Sequence, residues 1–177
     1  MELTGKKILM IIASKNFRDE EYIKPKEVLS KAGAQIITVS SSKNVSQGVL
    51  GAKVKPDILI SEVGDVGDYA AVIFVGGAGS KEYQDNPAAH KIIKEAVTQN
   101  KVVAAICIAP AILANAGILK GKNATAFPSV KTQLVFKGAN YTGKPVEIDG
   151  NIITGSGPES AEDFGKVIAK TLTFPKD

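Results

Sequence analysis

The chain has 177 residues, of which 44% are hydrophobic, and carries a formal charge of +4. That length suits a single domain with a full core, spanning residues 1–177, and no stretch approaches the roughly 18 continuous apolar residues of a membrane span. The charge comes almost entirely from scattered lysines, with Arg18 the only arginine, so it reads as a solvated basic surface and no nucleic-acid or membrane partner is expected.

The segment Met1 to Lys7 is polar and leads straight into an apolar run. It lacks the pattern of a signal peptide, and a cytoplasmic location is the expectation. A single cysteine excludes an intrachain disulfide. His90 is the only histidine, and there is no CxxC or HExxH spacing. No metal and no cofactor are expected.

Apolar runs alternate with helical patterns along the chain, which predicts a doubly wound, mostly parallel sheet with helices on both faces. Lys7 to Ala13 reads as a buried first strand, because its apolar run is continuous. A helix follows from about Glu20 to Ala32, stopped by Gly33. Gln35 to Ser40 is the second strand. Val45 to Val63 is less regular, with short β-like pieces punctuated by Gly48, Gly51 and Pro56. Ala70 to Val75 is a further buried strand, closed by Gly76-Gly77. Asn86-Pro87 starts a helix to about Gln99, with Asn as N-cap and Pro at the first position. Val102 to Ile106 is a central strand, followed by a helix from Ile108 to Ala116. A short strand near Ala124 and a helix over Ser129 to Lys137 come next. Val146 to Ile148 and Asn151 to Thr154 form a hairpin across Asp149-Gly150. Pro158 opens a last helix to about Leu172.

The most informative stretch is VVAAICIAP, Val102 to Pro110. A buried strand runs into Cys107 and a helix starts at once. Ala105 and Ala109 stand two residues before and after the cysteine, the spacing of a nucleophile elbow, although such elbows usually carry glycine there. A sulfur at a helix N-terminus faces unpaired N–H groups, which favour thiolate and predict a lowered thiol pKa. The turn lies at the carboxyl edge of the sheet, where open α/β folds keep their sites. The plainer alternative is a small buried core residue.

With these residues in view, the chain resembles the ThiJ/PfpI superfamily, which includes DJ-one-like stress proteins, PfpI-type intracellular proteases and histidine-dependent glyoxalases. AAICIAP (Ala104 to Pro110) resembles its nucleophile segment. EEYIKP (Glu20 to Pro25) resembles a motif in which a glutamate stands four residues before a proline, and Glu21 has that spacing. FVGGAG (Phe74 to Gly79) resembles a glycine pair near the cysteine, and TGSGPESAEDF (Thr154 to Phe164) the approach to the last helix. The resemblance implies a class I glutamine amidotransferase-like α/β/α sandwich and a homodimer or higher homo-oligomer. It implies Cys107 as nucleophile or redox-sensitive thiol and Glu21 reaching it from the first strand-to-helix loop. It also implies the backbone N–H groups of Gly77 and Ile108 as an oxyanion-type pocket. A protonated Glu21 would donate to the sulfur and favour thiolate, and could act as general acid and base.

The chain departs from the family in four places. Ile108 stands where the protease-like branch has histidine. Phe127 and Ser156 stand where the DJ-one branch has histidine and arginine. Glu82 does not fall at the triad carboxylate's distance from the glycines. Without histidine, amide hydrolysis lacks its usual acid. Three readings follow: an enzyme acting on small reactive carbonyls through Cys107 and Glu21, of glyoxalase or deglycase type; an oxidant-sensing or stress-protective protein; and a member whose site has lapsed.

Overall fold

In the computed structural model, which describes residues 2–175, seven strands form one sheet: β1 (Lys7–Ile11), β2 (Gln35–Ser40), β3 (Ile58–Leu59), β4 (Ala71–Phe74), β5 (Val102–Ile106), β6 (Val146–Asp149) and β7 (Ile152–Gly155). Their spatial order is β6-β7-β5-β4-β1-β2-β3. All neighbours are parallel except the β6–β7 hairpin. The central strands β4 and β5 are buried along their whole length, and β1 is buried after Lys7. This is why they read as unbroken apolar runs: helices cover both faces.

Five α-helices connect and cover the sheet: α1 (Asp19–Lys31), α2 (Pro87–Thr98), α3 (Pro110–Asn115), α4 (Lys131–Phe136) and α5 (Ala161–Thr173). From β1 the chain crosses through α1 to β2 on one side. From β4 it crosses through α2 to β5 on the other. Right-handed crossovers in opposite directions put α1 and α2 on opposite faces. The point where the direction reverses lies between β1 and β4, and a crevice opens there at the strands' carboxyl ends. Register lines those ends up, with Ile11 beside Phe74, Phe74 beside Ala105, and Ile106 beside Gly155.

Helices α1 and α5 make the most extensive helix–helix contact. Gly165 on α5 permits it: a Cβ there would lie 2.8 Å from Pro25 Cα and 3.3 Å from Val28 Cβ. Gly165→Ala is expected to force the helices apart and lower stability by about 1–2 kcal/mol. The overpacking cost is partly offset by alanine's better helix propensity. A lower urea midpoint with an unchanged slope checks this.

Several boundaries differ from the sequence reading for local reasons. The helix after Cys107 begins at Pro110, because Ile108 and Ala109 form the turn that leaves the strand. The β6–β7 loop is Gly150-Asn151, one residue later than expected. Asp149 is the last paired residue of β6, opposite Ile152, and Gly150 takes the positive φ (61°). The predicted helices at Ser129 and Pro158 each open with a 3-10 turn, Pro128–Val130 and Pro158–Ser160.

Candidate active site

Cys107 closes β5 in the left-handed region, with φ 64°. For a non-glycine residue this conformation costs on the order of 1–3 kcal/mol and persists only where surroundings enforce it. Here both of its backbone groups are fixed. Its N–H donates to Gly155 O at 2.9 Å, and its carbonyl accepts from Phe127 N at 2.8 Å. Ala105 and Ala109 are fully buried beside it. Their small side chains let the chain reverse in that space, as the elbow spacing anticipated.

Three consecutive acids open α1, and each has a different environment. The Asp19 carboxylate accepts from Leu50 N and Ala52 N, tying the turn between two short antiparallel strands, Ser46–Gly48 and Lys53–Val54, to the helix. Glu20 accepts two hydrogen bonds from Arg18, at 2.8 and 3.1 Å. Glu21 is fully buried, and neither of its oxygens has a well-formed hydrogen-bond partner. The Cys107 thiol is the group whose hydrogen bond acts on its ionisation. Glu21 therefore belongs to the first turn of α1, not to the loop before it. Pro25, four residues on, brings no N–H to the Glu21 carbonyl, which gives the glutamate–proline spacing a backbone consequence.

Gly76 holds the pair together. A Cβ there would stand 2.6 Å from Ile106 O, 2.7 Å from Cys107 Cβ and 2.9 Å from Glu21 Oε1. Gly77 has φ 97°, and a Cβ on it would meet Arg18 N and Asn16 O at 2.5 Å. Gly76 O accepts from Arg18 N, which locks the start of α1 against this turn. Gly76→Ala is expected to cost about 1–3 kcal/mol and to push Glu21 away from the sulfur. Thermal unfolding would show the first effect. An altered pH profile of Cys107 alkylation by iodoacetamide would show the second.

Burial pushes Glu21 up to about 8, against smaller opposing effects of the Cys107 hydrogen bond and the Arg18 charge. It therefore keeps its proton at neutral pH. Burial also pushes the Cys107 thiol up, to about 12, and a nearby Glu21 carboxylate adds to the rise. The backbone N–H groups of Gly77 and Ile108 bond the sulfur and oppose that rise. The lowered thiol pKa expected from the sequence is thus reversed. The helix that was to supply the field is only six residues long and starts three residues downstream. The sulfur is also largely enclosed, with Cys107 9% exposed. With Glu21 protonated, its charge no longer opposes thiolate, and its O–H can donate to the sulfur. Thiolate is thus less strongly opposed in the state where Glu21 keeps its proton.

The structure therefore brings together Cys107, Glu21, Gly77 and Ile108, the four positions singled out in the sequence. It leaves His90 elsewhere, half-buried and bonded to Gln84 O at 2.7 Å. Glu82, also away from the pair, accepts from Ser14. Arg18 was not anticipated as a site residue. It lines a cleft of about 720 Å³ together with Phe127, Tyr141 and Ser156, and its charge acts on both Glu21 and Cys107. Nothing in its sequence context marked it beyond its being the only arginine. Among the described residues, no group of three or more His, Cys, Asp or Glu side chains could hold a metal ion. No helix among them is long and apolar enough to cross a membrane.

A sequence model of the DJ-1/PfpI family matches residues 6–171. The chain belongs to the DJ-1/PfpI family. An uncharacterized protein of Methanocaldococcus jannaschii is 43% identical over 169 residues, covering 94% of this chain and 82% of that one. A deglycase of Pyrococcus abyssi is 29% identical over 164 residues, covering 93% and 98%. The crystal structure of a ThiJ/PfpI domain protein from Brachyspira murdochii superposes with a TM-score of 0.93 at 33% identity, over 98% of this chain and 99% of that one. The seven-stranded sheet and its flanking helices are the class I glutamine amidotransferase-like fold of the DJ-1/PfpI family. No histidine stands beside Cys107: Ile108 and Phe127 are the residues bonded to its turn.

Proposed function

We propose that this protein acts on small reactive carbonyls, in glyoxalase or deglycase fashion, with Cys107 as nucleophile and Glu21 as acid and base. The observation that carries the reading is a buried, proton-holding Glu21 with no competing partner, facing a cysteine whose sulfur is met by two backbone N–H groups. For methylglyoxal the sequence of steps balances without a histidine. The Cys107 thiol releases its proton to water as the sulfur bonds to the aldehyde carbon, and the carbonyl oxygen takes the Glu21 proton to give a hemithioacetal. The Glu21 carboxylate then removes the remaining hydrogen of that carbon as a proton and returns it to the neighbouring carbon, while the new hydroxyl passes its proton to the neighbouring oxygen. The thioester so formed is hydrolysed by water, which releases lactate and restores the thiol. The aldehyde carbon is oxidised and the ketone carbon reduced, so no external oxidant is needed. The name of the Pyrococcus relative, a deglycase, supports the deglycase form of this reading. Lactate formed from methylglyoxal above a buffer blank is the expected result; none from the unaltered protein would overturn the reading.

The Gly77 and Ile108 N–H groups also favour a second reading, in which Cys107 is oxidised reversibly or to sulfinate as a stress response. The same donors, with a protonated Glu21, would hold a sulfinate oxygen. Oxygen mass added to the Cys107 peptide by mild peroxide supports this reading; an unchanged mass removes it. Amide hydrolysis is disfavoured, because Ile108 and Phe127 offer no acid for a leaving amine. A homodimer or larger homo-oligomer in the cytoplasm fits the family resemblance.

A further inference from the structure

The cleft beside the cysteine is much larger than a three-carbon dicarbonyl needs. Its volume is about 720 Å³, within the range of pockets that take drug-sized ligands. Neither Cys107 nor Glu21 lines it, and it adjoins the reacting centre through the backbone. Phe127 N bonds the Cys107 carbonyl, and Ser156 directly follows Gly155, whose carbonyl takes the Cys107 N–H. Arg18 N bonds Gly76 O on the other side.

One wall of the cleft is aromatic and apolar. Phe127 is 44% exposed and lies against Gly157, where a Cβ would come within 3.6 Å of its ring. Pro128 and Tyr141 continue the wall. Tyr141 is fixed by its hydroxyl, which donates to Ala126 O at 2.9 Å, and by Lys131 over its ring. Opposite, the Ser156 and Ser160 hydroxyls bond each other at 2.7 Å, and Arg18, Glu20, Lys24 and Glu159 make the remaining lining charged. A half-exposed phenylalanine next to a nucleophile is apolar area that a ligand can remove from water.

We infer that the cleft seats the substituent of a 2-oxoaldehyde bearing an aryl or similarly broad apolar group, against Phe127 and Tyr141, with the aldehyde toward Cys107. This rests on the carbonyl-processing reading above and adds the substrate class to it. The chemistry is unchanged: phenylglyoxal and water give mandelate, by sulfur addition, proton transfer from the aldehyde carbon to its neighbour, and hydrolysis.

The test compares kcat/KM for phenylglyoxal and methylglyoxal in the unaltered protein and in Phe127→Ala. Because 2-oxoaldehydes also modify arginine, initial rates are read first and intact mass confirms that Arg18 is unmodified. The unaltered protein is expected to favour phenylglyoxal by about tenfold or more, since discrimination in an apolar pocket reaches this size for small groups. Phe127→Ala is expected to bring the ratio toward one, mainly through KM for phenylglyoxal. Methylglyoxal turnover with no preference, or a preference that Phe127→Ala leaves intact, overturns the inference while the carbonyl reading stands. If neither compound is turned over, that reading fails, and mandelate binding decides the cleft separately. Shifts of the Phe127, Tyr141 and Ser156 amide NMR signals, weakened in Phe127→Ala, sustain an aryl site. Unmoved signals overturn it.

Discussion

Glu21→Gln is expected to remove a pH-dependent loss of stability that the unaltered protein shows between about pH 5 and pH 8. The carboxyl has an ordinary value of 4.5 and is held up to about 8 in the fold by burial. Below pH 4.5 it is protonated in both folded and unfolded chains, and the fold loses nothing. As pH rises above 4.5 the unfolded chain releases this proton and the folded chain does not, so the folded state binds more protons and stability falls. The slope approaches about 1.4 kcal/mol per pH unit and levels off above pH 8, amounting to roughly 3 kcal/mol at pH 7. Cys107 adds nothing in this window, because its own rise lies above its ordinary value of 9. Glutamine has the carboxyl's shape without its charge. Its amide donors are incompletely met, at a cost of about 1–3 kcal/mol that does not vary with pH. Urea midpoints at pH 5, 6, 7 and 8 check the prediction. The profile of the unaltered protein should fall relative to that of Glu21→Gln. Parallel profiles would mean that Glu21 ionises normally and that the site does not hold a proton.

The stability given up at Glu21 has a counterpart at Cys107, whose left-handed φ is also costly. Two adjacent residues that each oppose folding are what a reactive site looks like energetically. Neither arrangement would persist without Gly76, whose lack of a side chain lets strand end, sulfur and carboxyl share one small volume.

The nucleophile turn was legible in the sequence because its causes are local. A five-residue apolar strand, a cysteine and flanking alanines specify a sharp exit from the sheet, and that is what β5 and Cys107 form. The parallel sheet was legible for the same reason: buried strands need unbroken apolar runs. Glu21 was reached only through its spacing to Pro25. Asp19, Glu20 and Glu21 are chemically alike, and only the tertiary contacts separate a loop tie, an arginine partner and a buried acid. The direction of the Cys107 shift was misread because desolvation comes from distant segments, while the helix dipole is a local inference. The cleft was invisible for a similar cause. Its walls come from the starts of α1 and α5 and from the segments around Phe127 and Tyr141, which no single motif connects.

The carbonyl reading makes its largest demand on activity. Removal of the sulfur by Cys107→Ala is expected to return methylglyoxal conversion to the rate in buffer, since no other nucleophile bonds the substrate in the proposed steps. Glu21→Gln keeps the thiol and the two backbone donors but can neither give up nor return a proton. A positioned acid–base group contributes about 10²- to 10⁴-fold, and a loss of that size is expected in kcat, with KM little changed. The most direct measurement is lactate formation from methylglyoxal by the unaltered protein, Cys107→Ala and Glu21→Gln, assayed together at pH 7. Lactate from the unaltered protein, none above buffer from Cys107→Ala and a residual trace from Glu21→Gln is the predicted outcome. No lactate from the unaltered protein, or undiminished lactate from either variant, would contradict the roles assigned to this pair.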